Sequence, residues 1–173
     1  MCITGWMIGR FQIKGWVEVG VHEGETVGYF SELVPGKIGM GCDINAETLE
    51  IARGRYPWLQ LKVASSVEYL REVDAPRPSV FYFDTTWGSE RPLGEELAIV
   101  HNRFPEGILY VNNVDLDCGQ AGCHKVPPAV LQQYGRVIVP DYSVPVPVAG
   151  YGIVVPDGEV LPPMTHWKVL PKS

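Results

Sequence analysis

Five short β-rich runs, separated by amphipathic helical stretches, occupy this chain up to about residue 114. Strands joined through helices must run parallel, and right-handed crossovers then lay the helices on both faces of one sheet. The runs fall at residues 16–21, 37–43, 59–64, 79–84 and 107–114. Between the first two, Val27, Phe30 and Val34 recur at helical spacing, and Pro35-Gly36 ends the pattern. Asn45 is placed to cap the next helix, which carries Leu49, Ala52 and Tyr56 on one face and stops at Pro57. Ser65 with Glu68 has the capping-box form, ahead of Val67, Leu70 and Val73. Leu93, Leu97, Val100 and Phe104 mark a fourth helix. The unbroken apolar run Ser79-Val-Phe-Tyr-Phe83 reads as a strand buried on both sides.

Beyond residue 126 the texture changes, with nine of the 15 prolines there. A short helix is expected at 129–134. The β-rich runs 136–139 and 151–155 are expected to pair as an antiparallel hairpin at the sheet edge, where proline is tolerated. The expected fold class is therefore α/β: a Rossmann-like, doubly wound, mainly parallel sheet with helices on both faces and a β-rich C-terminal end. At roughly 150 residues per domain, the 173 residues predict a single domain.

Charge and composition exclude several functions. Fourteen Lys and Arg stand against 20 Asp and Glu, a net charge of −6, which argues against nucleic acid as a partner. No apolar run approaches the roughly 18 residues of a membrane span, and residues 1–15 lack the form of a signal peptide. The expected location is cytoplasmic. Cys2, Cys42, Cys118 and Cys123 do not form a disulfide framework. The cluster Cys118-Gly-Gln-Ala-Gly-Cys123-His124 lacks the second ligand pair of a zinc site, and it reads as a Gly-rich loop with incidental thiols.

The most informative segment is Glu18-Val-Gly20-Val-His22-Glu-Gly24, where the first strand turns into the first helix. Ligands of open α/β sheets sit at this carboxyl edge. Asp43 ends the second strand 23 residues after Gly20, near the offset of about 20 at which an acid meets ribose hydroxyls. A pyrophosphate-binding G-x-G-x-x-G turn needs glycine where this chain has His22, whose side chain would fill that space.

The acid-x-Gly-x-x-x-Gly form resembles the first motif of class I S-adenosylmethionine (SAM)-dependent methyltransferases. Residues 17–26, Gly41-Cys-Asp-Ile-Asn-Ala-Glu47, Phe81-Tyr-Phe-Asp-Thr-Thr-Trp87 and Pro92-Leu-Gly-Glu-Glu-Leu97 extend it. Together they are similar to small-molecule O-methyltransferases of the macrocin/rhamnosyl type and to cephalosporin-hydroxylase-like methyltransferases. The resemblance spans roughly residues 16–114 and implies SAM as cofactor and a small-molecule acceptor, with oxygen as the accepting atom. It leaves 115–173 for an acceptor loop and C-terminal strands. It implies that Glu18, Gly20 and Gly24 hold the methionine and ribose region, that Asp43 takes the ribose hydroxyls, and that Ile44 packs on adenine. Ser65 falls near the adenine amine, although it also suits a helix cap, and His22 is a further candidate contact.

Members of that group commonly carry Asp-Ala-His-Trp after the fourth strand and Asp-Asp after the fifth. This chain has Asp84-Thr-Thr-Trp87 and Asn112-Asn113. Asp84 is the expected catalytic base and also a cofactor neighbour. Trp87, Asn112 and Asn113 are expected on the substrate side. One carboxylate with two amide oxygens makes a poor Mg²⁺ cage unless Asp115 or Asp117 turns inward, so no metal is expected. Three functions stay open: a methyltransferase, a SAM- or nucleotide-binding protein without methyl transfer, and a nicotinamide-dependent oxidoreductase, which His22 disfavours. With the first strand starting by residue 16, the long N-terminal helical cover that many members of that group place over the acceptor pocket is not expected, and an uncovered pocket suggests a homodimer.

Overall fold

The computed structural model describes residues 3–85, 92–114, 126–140, 150–158 and 167–171. In chain order the elements are α1 (Ile3–Phe11), β1 (Gly15–Val19), α2 (Glu25–Leu33), β2 (Gly39–Asp43), α3 (Ala46–Arg55), β3 (Gln60–Val63), α4 (Ser66–Glu72), β4 (Ser79–Phe83), α5 (Leu93–Arg103), β5 (Ile108–Val114), α6 (Pro128–Gln132), β6 (Arg136–Pro140), β7 (Gly150–Val155) and β8 (Trp167–Val169). The strands form one eight-stranded sheet in the order β3-β2-β1-β4-β5-β7-β6-β8. From β3 to β5 every pairing is parallel. β7 runs antiparallel to both β5 and β6, and β8 antiparallel to β6. The chain thus winds outward twice from the middle, with β1 and β4 side by side where the direction reverses.

Strand alternation sends successive side chains to opposite faces, and two cores result. Val17, Val19, Phe81 and Phe83 meet Leu70 of α4 and Leu97 and Val100 of α5. Trp16, Val80 and Tyr82 face the other way, onto Met7 of α1, Val27 of α2 and Leu49 of α3. Trp16 is fully buried and stacks on Phe30 with ring centroids 4.4 Å apart, a pairing worth about 0.5–1.5 kcal/mol beyond area burial. Every residue of β1 and of β4 is buried, as the apolar run in β4 predicts.

The helix ends follow their caps. The Asn45 side chain accepts from the backbone N–H groups of Glu47 at 2.9 Å and Thr48 at 3.4 Å. Ser65 and Glu68 form the reciprocal capping box, each side chain accepting from the other's backbone N–H at 3.3 Å.

Three features depart from the sequence-based expectations. β1 ends at Val19 rather than at residue 21, because Gly20 turns the chain with a φ of 85°. A nine-residue helix, α1, which the sequence patterns do not signal, precedes β1 and buries Ile3, Trp6 and Met7. The runs near 136 and 151 do pair antiparallel, but β7 is inserted between β5 and β6, and β8 forms the outer edge. Cys2, Thr86, Trp87, Asp115, Asp117, Cys118, Cys123 and His124 lie outside the described residues.

Candidate functional site

A cleft of about 760 Å³ opens at the carboxyl ends of β1, β2 and β4. This is the point where strand order reverses, and crevices of open α/β sheets form there because the neighbouring loops diverge to opposite faces. Glu18, Gly20, His22, Asp43, Ile44, Ser65 and Asp84 all line it. Sequence separations of up to 66 positions therefore collapse onto one edge.

Gly20 is the hinge of the cleft. Its φ of 85° suits glycine, and a Cβ there would come within 2.7 Å of the Asp84 carbonyl oxygen. That contact brings the exits of β1 and β4 together, and the Asp84 N–H donates to the Val19 carbonyl at 3.0 Å. Gly24 stands behind the turn rather than in the cleft. With φ 83° it is the N-cap of α2, and a Cβ would lie 2.9 Å from Ala52 Cβ. Gly24 is thus required by the packing of α2 on α3.

Asp43 is fixed by backbone donors. Its Oδ2 accepts from the His22 N–H at 2.8 Å and its Oδ1 from the Asn45 N–H at 2.9 Å. Each carboxylate oxygen has two lone pairs, so one site per oxygen is left for a second donor. His22 contributes through its backbone, with φ 50°, while its side chain is exposed. Ile44, at the mouth of the cleft, is 78% exposed. Ser65 lines the cleft and caps α4.

Glu18 is 2% exposed. It accepts from the Val27 backbone N–H, while its Oε2 is buried with no hydrogen-bond partner. Burial, followed by the nearby Asp84 and Asp43 charges, holds its carboxyl well above the ordinary range. Glu23 and Glu25 add two more acids to the rim, and Arg55 at the end of α3 ties them to the scaffold, at 2.6 Å and 3.6 Å. Five carboxylates and no Lys or Arg line the cleft among the described residues.

Asp84 follows β4 and is held by Asn112, whose Nδ2 donates to Oδ1 at 2.6 Å. Asn112 Oδ1 in turn accepts from the Asn113 N–H at 2.8 Å. Asn113 sits at φ 60°, within the irregular pairing of β5 and β7 between Val111 and Val114. Neither asparagine is among the described residues that line the cleft, and Asn112 touches it through Asp84.

No protein-family model and no curated protein sequence matches this chain. Solved structures do. The O-methyltransferase TomG from Streptomyces achromogenes, crystallised with SAM, superposes with a TM-score of 0.65 at 13% identity, covering 90% of this chain and 78% of its own. A SAM-dependent methyltransferase from Archaeoglobus fulgidus gives 0.59 at 13% identity, covering 87% and 91%. The magnesium protoporphyrin IX methyltransferase from Synechocystis, with bound SAM, gives 0.60 at 8%, covering 89% and 76%. The fold is that of class I SAM-dependent methyltransferases. At these identities the likeness concerns the fold, and what this copy of it does rests on the cleft.

Within this class I fold one buried polar group escapes the sequence-based expectations. Glu96 of α5 is fully buried and accepts from the Thr85 hydroxyl at 3.1 and 3.2 Å, bracing the segment that carries Asp84. Its signal in the sequence is ambiguous, since Glu95-Glu96 in a first helical turn is also what the helix dipole favours. Among the described residues, no group of three or more His, Cys, Asp or Glu side chains is arranged to hold a metal ion, and no helix is long and apolar enough to cross a membrane.

Proposed function

We propose that this protein is a SAM-dependent methyltransferase acting on a small-molecule acceptor, with oxygen as the accepting atom. The observation that carries the proposal is the cleft's donor set. Asp43 is rigidly presented with free acceptor sites, beside a buried, unpartnered Glu18 oxygen, in a cleft lined by five carboxylates and no Lys or Arg among the described residues. That set suits a cationic, ribose-bearing ligand without phosphate. A pyrophosphate would meet five carboxylates and a turn with His22 where its fingerprint needs a second glycine, which counts against the nicotinamide and nucleotide alternatives.

SAM fits these residues. Asp43 would accept from the ribose hydroxyls, Ile44 would pack on adenine with Ser65 near its amine, and the Glu18–Gly24 turn, His22 included, would hold the amino-acid end. Bound SAM supplies a methyl group on a sulfonium, already activated for in-line displacement. The chain's own work is then to orient the acceptor and remove its proton. Asp84 is the group we assign to that proton, and the Asn112 amide, donating to its Oδ1, fixes its orientation. Trp87 and Asn113 are proposed on the acceptor side. The same carboxylate would also neighbour the cofactor, which makes it the junction between the two ligands. No metal is invoked, and turnover is expected to survive chelation.

Calorimetric titration with SAM, its demethylated product and NAD tests the cofactor. Turnover on a panel of hydroxylated acceptors tests the chemistry. Failure of SAM to bind would overturn the proposal, while tight binding with no turnover on any acceptor would point to a binding protein. The single-domain organisation over 1–173, a cytoplasmic location and a homodimer are part of the same proposal. Light scattering at micromolar concentration decides the last.

A further inference from the structure

Glu18 presents a problem that the cofactor assignment alone does not solve. It is 2% exposed, and its Oε2 has no partner. The groups facing it are Tyr82 from β4 and Asp84 just after it, Asp43 and Cys42 from β2, and the Val27 N–H from α2. Two of these are acids and none is a cation, so one backbone N–H is all that favours an ionised Glu18. A buried carboxylate beside two others keeps its proton, because desolvation and like charge both oppose ionisation. Yet Glu18 lines the cleft, so a ligand that brings a positive charge within reach reverses the local balance.

We propose that Glu18 is the charge-sensing group of the cleft: it receives a cationic group of the ligand on its carboxylate and gives up its proton to solvent in doing so. This rests on the proposal that SAM is the ligand, which carries a sulfonium and an ammonium. Binding is then an exchange. The carboxyl O–H bond breaks, its proton goes to buffer, and the ligand's cation replaces it. A neutral adenosine, which can satisfy Asp43 and Ile44 but brings no charge, leaves the proton in place. The cleft in this way rejects ligands that match SAM only in their nucleoside half.

The test is calorimetry in two buffers of unlike ionisation enthalpy, at several pH values around neutrality, on the full chain and on Glu18→Gln. With SAM as the probe, the wild-type chain is expected to release up to one proton per ligand, and its affinity to rise by up to about tenfold per pH unit. Adenosine is expected to release none. Glu18→Gln keeps the shape and the Val27 hydrogen bond, and should lose both the release and the pH slope. Equal release with SAM and its demethylated product would assign the ammonium as the cation; release with SAM alone would assign the sulfonium. SAM binding without proton release, release that persists in Glu18→Gln, or equal release with adenosine would overturn the inference. A ligand-independent measurement separates it from the cofactor proposal. Carboxyl-¹³C NMR of the free protein should show a glutamate resonance, absent in Glu18→Gln, that titrates above those of the exposed glutamates. If Glu18 titrates with the exposed glutamates, the inference fails whether or not SAM binds. If Glu18 titrates high but SAM does not bind, the cofactor proposal is the one that fails.

Discussion

The backbone N–H of His22 donates to Asp43 Oδ2 at 2.8 Å, tying the turn after β1 to the end of β2. One carboxylate therefore shapes the turn and faces the ligand at once. Asp43→Ala is expected to remove most of the SAM affinity, since charge-assisted hydrogen bonds contribute about 1.5–3 kcal/mol. Circular dichroism should remain that of the native sheet. Calorimetry showing unchanged affinity in a folded variant would take Asp43 out of the site.

Gly20→Ala combines two faults, a positive φ and a Cβ within 2.7 Å of the Asp84 carbonyl oxygen. The left-handed conformation alone costs a non-glycine residue about 1–2 kcal/mol. The collision moves the Asp84 backbone besides. Urea denaturation should show a loss above that range, and Gly54→Ala, at a helical position with open space around it, serves as the control, expected to be unchanged or somewhat more stable. A Gly20→Ala midpoint equal to that of Gly54→Ala would contradict the described turn.

Asp84→Asn should reduce turnover by about 10²–10⁴-fold, the usual contribution of a general base, with little change in SAM affinity. Asn112→Ala, which removes the amide donor to Asp84 Oδ1, should lower turnover less steeply and shift its pH profile, since a donor that favours the ionised form is gone. A turnover that falls on chelation and returns with Mg²⁺ would show that a metal does the work ascribed here to Asp84.

Glu18 makes stability depend on pH in a definite direction. Its folded-state pKa lies above the ordinary 4.5, so its contribution is fully present below that value and is lost as pH rises through the folded value. Glu18→Gln should therefore be the more stable chain at neutral pH. Its advantage should grow by about 1.4 kcal/mol per pH unit across the interval between the two pKa values, and vanish on acidification. Chemical denaturation at a series of pH values gives the comparison directly.

Ser65→Ala separates the two roles that converge on that side chain. Loss of the capping box should cost about 0.5–2 kcal/mol of stability. A measurable fall in SAM affinity beyond this would place Ser65 at the adenine end, and an unchanged affinity would leave it as a cap.

The parallel half of the sheet was legible because each of its signals is local. The Asn45 cap, the Ser65–Glu68 box and the apolar run of β4 need only neighbouring residues, and all three appear where the pattern puts them. α1 was not legible. Gly5 and Gly9 lower its helix propensity, its first turn has no acid, and its stability comes from burying Ile3, Trp6 and Met7 on a surface assembled from distant strands. The insertion of β7 between β5 and β6 is a choice between edges, which hydrophobic alternation does not encode. In the candidate site, the grouping of Glu18, Gly20, Asp43 and Asp84 could be anticipated from motif spacing. The burial of Glu18 and the bracing of Thr85 by Glu96 depend on packing between elements far apart in the chain.

The antiparallel insertion has a consequence for how the chain comes off the ribosome. β5 ends at Val114, and the strand that covers its outer edge does not begin until Gly150. The whole described lining of the cleft, ending at Pro92, is by then synthesised, and the parallel strands can already have docked. Ile108, Leu109, Tyr110 and Val111 meanwhile present an apolar strand with an open row of backbone donors and acceptors. Such an edge pairs with whatever strand reaches it first. The nascent protein is thus most exposed to mispairing after its ligand cleft is complete, and β7 is the segment that ends the exposure.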